Sequence, residues 1–363
     1  MIRIGIVGLG FMGYTHWTAA QKLRGGKVTA VCSRDAKKRA GDLTGVRGNF
    51  GPPAGKVDFS KVTAHATVED LLADEEVDLV DICLPTKLHE EVAVKAAAAG
   101  KHVLVEKPIA ADAKAADRMV KACEAAGVLL MVGHVLPFFP EFRYLHESAE
   151  KKKYGRLRAA HFARVICPPP WLDTAGGPGG GWGEIGGWGA DLHVHDAHFV
   201  SLLLGVPHRV FSRGLLRDGL IEHVQTEYLW EPTDAGGARG ERGGPPVGSV
   251  CGGIAAKGHD FRHGFEAHFE KASILFSAAN LGGEFAVDRP LTVVSQDGKV
   301  RQPSLKGGED WFTPFAGELQ AAVRGVKENA APKVLSGSLA RDALRVVAAE
   351  TKSVKTGRVV SVG

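Results

Sequence analysis

Three glycines near the N-terminus have the spacing expected of a dinucleotide site. The segment Gly8-Leu9-Gly10-Phe11-Met12-Gly13 has the pattern GxGxxG, follows an apolar run over Ile2–Val7 and precedes a stretch of helical composition. In this context the first glycine permits a tight turn, the second lets the backbone approach a pyrophosphate, and the third lets helix and strand pack closely. Free N–H groups at the start of a helix also attract phosphate. The alternative is a tight turn without a ligand. The predicted site contains Gly8, Gly10, Phe11, Met12 and Gly13.

The end of the second apolar run should distinguish NAD from NADP. An acidic residue about 20 positions after the glycines would bind both ribose hydroxyls of NAD. Ser33 stands at that position, and Arg34 follows it. A guanidinium can hold a 2′-phosphate with two parallel hydrogen bonds, so Ser33 and Arg34 favour NADP over NAD. The alternative is that Arg34 stacks on adenine while Asp35 binds the ribose.

A second segment, far along the chain, has residues suited to acid–base or metal chemistry. Asp191, His193, His195 and Asp196 lie within six positions. Histidine and carboxylate groups bind Zn²⁺. However, side chains two positions apart on a helix diverge, so His193 and His195 would not share one ion. We therefore expect no metal here.

The first third of the chain predicts the elements that position the glycine motif. Five short apolar runs alternate with amphipathic stretches. Strands that are apolar throughout and are joined by helices indicate a parallel sheet that is buried on both faces. Thr67 and Asp112 are expected to begin helices, and Gly100 and Gly127 to end them. The sequence thus predicts a doubly wound α/β domain, the Rossmann fold, over residues 1–133.

The pattern of predicted strands and helices changes after Gly133. Short runs with strand composition follow one another without regular helices between them, which predicts an α/β domain with a large, mainly antiparallel open sheet over residues 134–363. A helix is expected near Asp191–Leu204, and two more at Trp311–Lys327 and Ser338–Ser353. The glycine-rich blocks Gly176–Gly189 and Gly236–Gly253 are interpreted as loops.

Composition excludes several classes of protein. The chain has 363 residues, which is ample for two domains, and 44% of them are hydrophobic and 24% charged, so wholesale disorder is excluded. The net charge of +4 is too small for a nucleic-acid surface, and no apolar run reaches the ~18 residues of a membrane helix. Five scattered cysteines suit reduced thiols, and no secretory signal is apparent. A cytoplasmic location is the expectation.

Several motifs together resemble one enzyme family. They are Cys83-Leu84-Pro85-Thr86-Lys87-Leu88-His89, Glu106-Lys107-Pro108, Gly187-Trp188-Gly189-Ala190-Asp191-Leu192-His193-Val194-His195 and Gly264-Phe265-Glu266-Ala267-His268-Phe269-Glu270-Lys271. In this order they resemble the Gfo/Idh/MocA oxidoreductases, the family of glucose–fructose oxidoreductase and inositol dehydrogenase. The resemblance covers nearly the whole chain and implies a Rossmann domain, a second domain with an open sheet, and catalysis in the cleft between them.

The resemblance also implies roles for individual residues. The lysine of Glu-Lys-Pro maps to Lys107, near the nicotinamide and the reacting carbon, and Asp191 and His195 map to the family's Asp-x-x-x-His. Loss of hydride from a carbinol requires loss of the hydroxyl proton, so His195 is the expected general acid/base, with Asp191 orienting it or the substrate. Lys107 would polarise the substrate oxygen. Further cofactor contacts are expected from Leu84, Pro85, Thr86, His89 and Glu106. His16 is as consistent with packing as with binding.

The substrate is expected to be a sugar, a cyclitol or a related polyol, because the family acts mostly on these. Indole rings stack on sugars, so Trp171 and Trp188 are candidate substrate contacts, although packing of the loop explains them equally well. His134 and His193 are further candidates. Pro137 replaces an arginine that many relatives carry, which would alter what the site recognises.

Two other functions remain open from the sequence. One is an NAD-dependent glycoside hydrolase that oxidises its substrate only transiently, and the other is a non-catalytic nucleotide-binding regulator. Because an open sheet face would leave a large apolar patch, we expect a homodimer or a homotetramer. No nucleic-acid or membrane partner is expected.

Overall fold

The computed structural model describes residues 1–48, 51–169, 172, 181–231, 244–253, 256–308 and 310–363. The chain divides into two compact units. Unit 1 contains Met1–Phe139 and Gly307–Arg341, and unit 2 contains Pro140–Lys306 and Asp342–Gly363.

The described residues form strands and helices in a regular order. The strands are β1 (Ile2–Val7), β2 (Gly26–Cys32), β3 (Thr63–His65), β4 (Leu79–Ile82), β5 (His102–Glu106), β6 (Leu130–Gly133), β7 (Leu157–Ile166), β8 (Arg209–Arg217), β9 (Leu220–Leu229), β10 (Val247–Gly253), β11 (His259–Phe269), β12 (Ala272–Leu281), β13 (Glu284–Ser295), β14 (Val300–Arg301) and β15 (Val360–Ser361). The helices are α1 (Phe11–Ala20), α2 (Ala36–Arg39), α3 (Val68–Ala73), α4 (His89–Ala98), α5 (Ala113–Ala125), α6 (Pro140–Glu150), α7 (Val194–Leu204), α8 (Thr313–Glu328) and α9 (Gly337–Thr356).

Unit 1 is built on a six-stranded parallel sheet with the order β3-β2-β1-β4-β5-β6. This is the strand order of a dinucleotide-binding Rossmann fold, with the order reversing between β1 and β4. The central strands are mostly apolar and largely buried, as the apolar runs predicted, with Asp81 of β4 and Glu106 of β5 as buried acidic exceptions. Their carboxyl ends share one edge, since Val7 pairs with Ile82 and Ile82 with Val105.

The local signals for helix ends are confirmed in unit 1. The Thr67 hydroxyl accepts a hydrogen bond from the Asp70 N–H, and the Asp112 carboxylate accepts one from the Ala115 N–H. Gly100 and Gly127 follow α4 and α5 with φ of +70° and +69°, a left-handed conformation that costs glycine little.

A late segment of the chain completes unit 1. Phe315, Leu319 and Val323 of α8 belong to the same buried cluster as Ile4 and Leu104 of the sheet. Unit 1 is therefore not continuous in sequence, in contrast to the predicted 1–133 and 134–363 division. The physical reason is that α8 supplies apolar cover to a sheet face, which a linear reading of the chain cannot detect.

Unit 2 contains a nine-stranded sheet with the order β14-β13-β12-β11-β7-β10-β9-β8-β15. All neighbouring strands are antiparallel except β7 and β10. The predicted fold class is confirmed. The aromatic core of this unit centres on Phe142 of α6, whose ring packs edge-on against Phe199 of α7 and Phe265 of β11 at 5.2 and 5.1 Å between centroids.

The interpretation of Gly236–Gly253 as a loop is wrong for its last seven residues. Val247–Gly253 is β10, paired on both sides inside the sheet. Glycine is required there by close packing, because a Cβ on Gly253 would lie 2.7 Å from the Trp188 indole nitrogen. Residues 232–243 lie outside the described part of the chain. The structure also adds β13, which the sequence analysis did not predict.

We searched the described helices for one long and apolar enough to cross a membrane and found none.

Candidate functional site

The GxGxxG turn follows β1 at the carboxyl edge of the unit 1 sheet. Gly8 has φ of +100°, and a Cβ there would lie 2.5 Å from the carbonyl oxygen of Cys83. A Cβ on Gly13 would lie 1.9 Å from the Gly8 carbonyl oxygen, so α1 can pack on its own turn only with glycine at this position. A Cβ on Gly10 would meet nothing within 4 Å. Two of the glycines are thus needed by the fold, and the third faces open space.

The amino end of α1 is suited to an anion. Gly10 caps the helix without a side-chain hydrogen bond, and the first turn contains no acidic residue. The N–H groups of such a turn and the positive end of the helix dipole attract phosphate. The side chains of Phe11 and Met12 pack against the core of unit 1, so only their backbone amides are suited to phosphate.

The tip of β2 holds the residues that were expected to select the cofactor. Ser33 is half-buried and Arg34 is exposed. One carboxylate oxygen of Asp35 accepts hydrogen bonds from the N–H groups of Lys37 and Lys38, which begins α2. Because that oxygen serves as a helix cap, Asp35 is less suited to bind two ribose hydroxyls than the alternative interpretation required.

His89 ties together the two loops that follow β4 and β5. Its ring lies 2.8 Å from the Leu84 carbonyl oxygen through Nε2 and 3.0 Å from the Pro108 carbonyl oxygen through Nδ1. Burial lowers the pKa of His89, which favours a neutral ring that donates to one of the two carbonyls at a time. Both nitrogens face backbone atoms, so this geometry favours a positioning role for His89 rather than the direct cofactor contact expected. Leu84, Pro85 and Thr86 belong to the loop that connects β4 to His89, and Thr86 begins a short 3₁₀ turn.

Lys107 directly follows β5, and the Glu106 carboxylate holds its backbone. Oε2 of Glu106 accepts a hydrogen bond of 3.1 Å from the Lys107 N–H. The Lys107 side chain is half-buried, whereas Glu106 is buried. His16, on α1, lies with Nε2 3.0 Å from Oε1 of Glu106 and with Nδ1 2.8 Å from Oδ2 of Asp81. His16 therefore contacts protein groups through both ring nitrogens.

His134 follows β6 in unit 1. Its side chain is buried, with only 1% of the residue exposed. The substrate contact expected of His134 stays a prediction.

In unit 2, Asp191 and His195 lie on a π-helical turn and on the α-helix that directly follows it. Asp191 belongs to a π-helical turn over Gly189–His193, and His195 to the start of α7. Both side chains are half-buried. Single π turns inside helices are frequent at functional sites. Their roles stay predictions.

His193 lies on the opposite side of this helical stretch from solvent, inside unit 2. Its ring is fully buried, with Nε2 3.1 Å from Oε1 of Glu350 on α9. The hydroxyls of Tyr228 and Ser249 lie 3.4 Å from the same nitrogen and 2.7 Å from each other. Burial alone would lower the pKa of His193, but the Glu350 carboxylate outweighs it and the pKa is raised. The burial favours a structural role for His193 over the substrate contact expected.

A buried ion pair anchors α7 to the sheet of unit 2. Arg164 of β7 donates two hydrogen bonds, of 3.0 and 3.1 Å, to the two carboxylate oxygens of Asp196. The guanidinium lies 5.9 Å from the ring centroids of both Phe142 and Phe261. Asp196 is the direct neighbour of His195, so this pair orients the turn that carries the predicted acid/base.

The structure describes one of the two tryptophans that were predicted to contact the substrate. Trp188 is buried and packs edge-on against Trp182, with ring centroids 5.9 Å apart. This contact favours loop packing over sugar stacking for Trp188. Trp171 lies outside the described residues, so its predicted substrate contact is untested.

The sequence analysis did not identify the partners of the buried histidines. Asp81 is fully buried in β4, and Glu318 and Glu350 are fully buried in α8 and α9. A usable signal existed for Asp81, since it is a charged residue inside an apolar strand. No comparable signal exists for the two glutamates. Each is one polar residue on an amphipathic helix, and the histidine that it contacts lies far away in the sequence.

A dinucleotide-binding Rossmann domain is the class of structure that the strand order and the glycine turn define. Residues 2–134 match the family model described as "Oxidoreductase family, NAD-binding Rossmann fold". The model that these residues match is that of the Gfo/Idh/MocA oxidoreductases, the family that the sequence motifs resemble.

Similar proteins include two curated enzymes. The chain is 31% identical to a 1,5-anhydro-D-fructose reductase of Ensifer adhaerens over 56% of its length and 57% of that protein. It is 32% identical to a scyllo-inositol 2-dehydrogenase (NADP(+)) of Bacillus subtilis over 42% of each chain. The chain thus spans about half the length of the curated relatives it matches. A levoglucosan dehydrogenase, solved with NADH and levoglucosan, matches over 100% of this chain and 99% of its own, with a TM-score of 0.74 and 18% identity. At that identity the likeness concerns the fold.

Proposed function

We propose that this protein is an NAD(P)-dependent oxidoreductase that transfers a hydride between nicotinamide and a carbinol or carbonyl carbon of a sugar-like polyol. The observation that carries the proposal is the GxGxxG turn, in which Gly8 and Gly13 are sterically obligatory and Gly10 faces open space at an uncapped helix end. The named relatives that act on an anhydro sugar and an inositol support the substrate class.

The residues of this chain have complementary roles in the proposed reaction. Nicotinamide, when bound, would supply the hydride chemistry. His195 accepts the hydroxyl proton during oxidation and returns it during reduction, because imidazole titrates near neutral pH. Asp191 orients His195 or the substrate hydroxyl. Lys107 donates a hydrogen bond to the substrate oxygen and stabilises the negative charge that develops there.

The cofactor is proposed to be NADP rather than NAD. The exposed Arg34 guanidinium can pair with a 2′-phosphate, and Ser33 is small enough to leave room for it. The capping role of Asp35 supports this choice, because one carboxylate oxygen that could accept a hydrogen bond from the ribose hydroxyls of NAD is already occupied by the N–H groups of α2. The NADP(+) in the name of the inositol dehydrogenase relative supports it as well.

Fluorescence titration of nucleotide-free protein with NADPH and with NADH tests the cofactor. We expect NADPH to bind at least about tenfold more tightly, which corresponds to ~1.4 kcal/mol, and Arg34→Ala to abolish the difference. Lys37→Ala is a matched control, because it removes a neighbouring positive charge from α2. Equal or tighter binding of NADH would contradict the assignment.

Turnover separates an oxidoreductase from a hydrolase or a regulator. We expect net NAD(P)H formation with at least one of scyllo-inositol, levoglucosan and related polyols, and loss of about 10²-fold or more in Lys107→Ala and His195→Ala. Unchanged turnover in Lys107→Ala would refute its catalytic role. Cleavage of a glycoside without lasting absorbance change would favour the transient-oxidation hydrolase.

A homodimer or homotetramer is also proposed. Apolar side chains are exposed in adjacent strands at one end of the unit 2 sheet: Phe285 is 68% exposed and Val287 44% in β13, and Val300 is 67% exposed in β14. Light scattering after size exclusion should give a multiple of the chain mass. Phe285→Glu should weaken the assembly if this edge is used, and a monomer in the unmodified protein would contradict the proposal.

A further inference from the structure

His16 stands at the centre of a buried group of acids in unit 1. Nδ1 lies 2.8 Å from Oδ2 of Asp81 and 3.5 Å from the Cys83 sulfur. Nε2 lies 3.0 Å from Oε1 of Glu106 and 3.7 Å from Oε1 of Glu318 without an aligned hydrogen bond to either. The ring therefore connects α1 to β4, β5 and α8, each through a carboxyl group.

The number of protons on this cluster follows from its neighbours. Carboxylate oxygens only accept hydrogen bonds, and both ring nitrogens face them. A neutral ring would place a nitrogen lone pair against a carboxylate, which is repulsive where water is excluded. Burial alone lowers the pKa of His16, but Asp81 and the other acceptors outweigh it and the pKa is raised well above its ordinary value. A doubly protonated ring places an N–H opposite a carboxylate on each side, with a hydrogen bond to Asp81 and an ion pair with Glu106.

One of the acids must then be neutral. Glu318 is fully buried, and neither of its carboxyl oxygens has a hydrogen-bond partner. Burial is the main cause that raises the pKa of Glu318, and the nearby carboxylates raise it further. Cys83 is also uncharged, because burial raises the pKa of its thiol. The positive ring is thus left facing Asp81 and Glu106 as carboxylates and Glu318 as a carboxylic acid.

Space around the acids is restricted. A Cβ on Gly133 would lie 3.3 Å from Oε1 of Glu318 and 3.5 Å from Oε1 of Glu106. The close approach of β6 leaves the two carboxyl groups little freedom to turn away from His16. The orientation of Glu106 is therefore determined by the ring on one side and by the Lys107 N–H on the other.

We propose that His16 is a positioning residue whose imidazolium charge holds the Glu106 carboxylate, which in turn holds the backbone of Lys107 for the reaction. The inference rests on the proposed function of Lys107. It assigns to His16 a charge role in place of the packing or direct binding that its position in the sequence allowed.

The protonation of His16 can be observed directly in the full chain. With ¹⁵N-histidine labelling at about pH 8, above the ordinary histidine pKa of ~6.5, His16 should give two protonated ring nitrogens. The signal is assigned by its loss in His16→Gln. His102 is a matched control at the other end of β5, because its Nδ1 accepts a hydrogen bond from the Leu129 N–H and its ring must be neutral. A neutral His16 ring would overturn the inference.

Kinetics of two variants provide the functional test. His16→Gln, which carries no charge, should lower kcat by up to about 10²-fold through misplacement of Lys107, while the KM for the polyol and the Kd for NADPH stay close to those of the unmodified protein. Glu318→Gln mimics a neutral acid and should retain kcat and its pH profile. His102→Gln should retain both.

The possible failures are distinguishable. If no polyol is turned over by the unmodified protein, the proposed function fails, and the role of His16 in it fails too, even if the ring is doubly protonated. If turnover is normal in His16→Gln, or falls equally in Glu318→Gln, the positioning role of His16 is overturned while the proposed function stands. If His16→Gln does not fold, the ¹⁵N spectrum of the full chain still tests the inference, because a neutral His16 ring would overturn it; the His16 signal is then assigned by its shift in Glu318→Gln, since Glu318 Oε1 lies 3.7 Å from Nε2.

Discussion

Each unit of the molecule buries a histidine against a glutamate from a helix near the C-terminus, yet the charges around the two histidines are balanced differently. His16 in unit 1 faces three carboxyl groups, with no arginine or lysine among the groups that face its ring in the described residues. His193 in unit 2 faces Glu350 together with two neutral hydroxyls, and the nearby Asp196 is paired with Arg164. With His193 protonated, each positive charge of the unit 2 cluster has one carboxylate opposite it, whereas the unit 1 cluster has three carboxyl groups around one imidazolium and needs a second proton, on Glu318.

The comparison teaches that burial of the same residue type has different consequences. In unit 2 each charge has an opposite charge, so the cluster should contribute mainly to stability and to the orientation of α7. In unit 1 the excess of acid makes the state of the cluster depend on pH, and it lies one residue from Lys107. The following predictions separate a fixed structural network from a proton-dependent one.

The largest effect is expected from breaking the ion pair of unit 2. Arg164→Met removes the guanidinium that binds the buried Asp196 carboxylate and leaves the His193 ring, 3.9 Å away, as a charged neighbour, which should lower the free energy of unfolding by about 3–5 kcal/mol. Urea unfolding at neutral pH measures it. The double variant Arg164→Met with Asp196→Asn should recover part of the loss, because the uncompensated charge is then removed.

An exposed ion pair provides the control for that measurement. Arg289 and Glu266 lie 3.2 Å apart with side chains 50% and 53% exposed. Arg289→Met should cost less than about 1 kcal/mol, since solvent screens such pairs. Equal losses in the two variants would contradict the distinction between buried and exposed charge.

A smaller effect is expected from removing one hydroxyl of the unit 2 network. Tyr228→Phe takes away the partner of the Ser249 hydroxyl at 2.7 Å and a neighbour of His193. Loss of a buried hydrogen bond should lower the free energy of unfolding by about 1–2 kcal/mol. The loss should be the same at pH 6 and about pH 8, because burial raises the pKa of Tyr228 well above this range. A strongly pH-dependent loss would show that the cluster titrates.

The smallest change at neutral pH is expected from Glu318→Gln, and its value lies in the pH dependence. A carboxyl whose pKa is raised in the folded state binds more protons folded than unfolded, so its contribution to stability is greatest below the unfolded pKa and falls as pH rises. His16 has the same sign, because its folded pKa is also raised above the unfolded value near 6.5.

Stability of the unmodified protein should thus decline from about pH 4.5 upward through the Glu318 contribution, and from about pH 6.5 upward through the contributions of His16 and of His193, whose pKa is raised as well. Glu318→Gln should remove the first decline and keep the second. Urea midpoints at a series of pH values measure both, with Tyr228→Phe as the pH-independent reference. Identical pH curves for Glu318→Gln and the unmodified protein would show that Glu318 is ionised in both states.

Local signals in the sequence predicted much of unit 1. The apolar runs, the caps at Thr67 and Asp112 and the GxGxxG turn are decided by neighbouring residues, and the structure confirms them. The prediction for the segment that forms β10 was wrong because its glycine-rich composition suggests a loop. In the structure Gly253 packs closely against Trp188, a residue 65 positions away.

The amino-acid sequence by itself determined the Rossmann class and the glycine turn, because these depend on periodicity and on spacing along the chain. Tertiary structure decided that α8 belongs to unit 1, that β10 is a central strand, and that His16 and His193 each meet a glutamate from a distant helix. The charge environment and burial at these positions arise only when residues far apart in the sequence come into contact. The energy of a buried acid or imidazole is therefore a property of the fold and not of its neighbours in sequence.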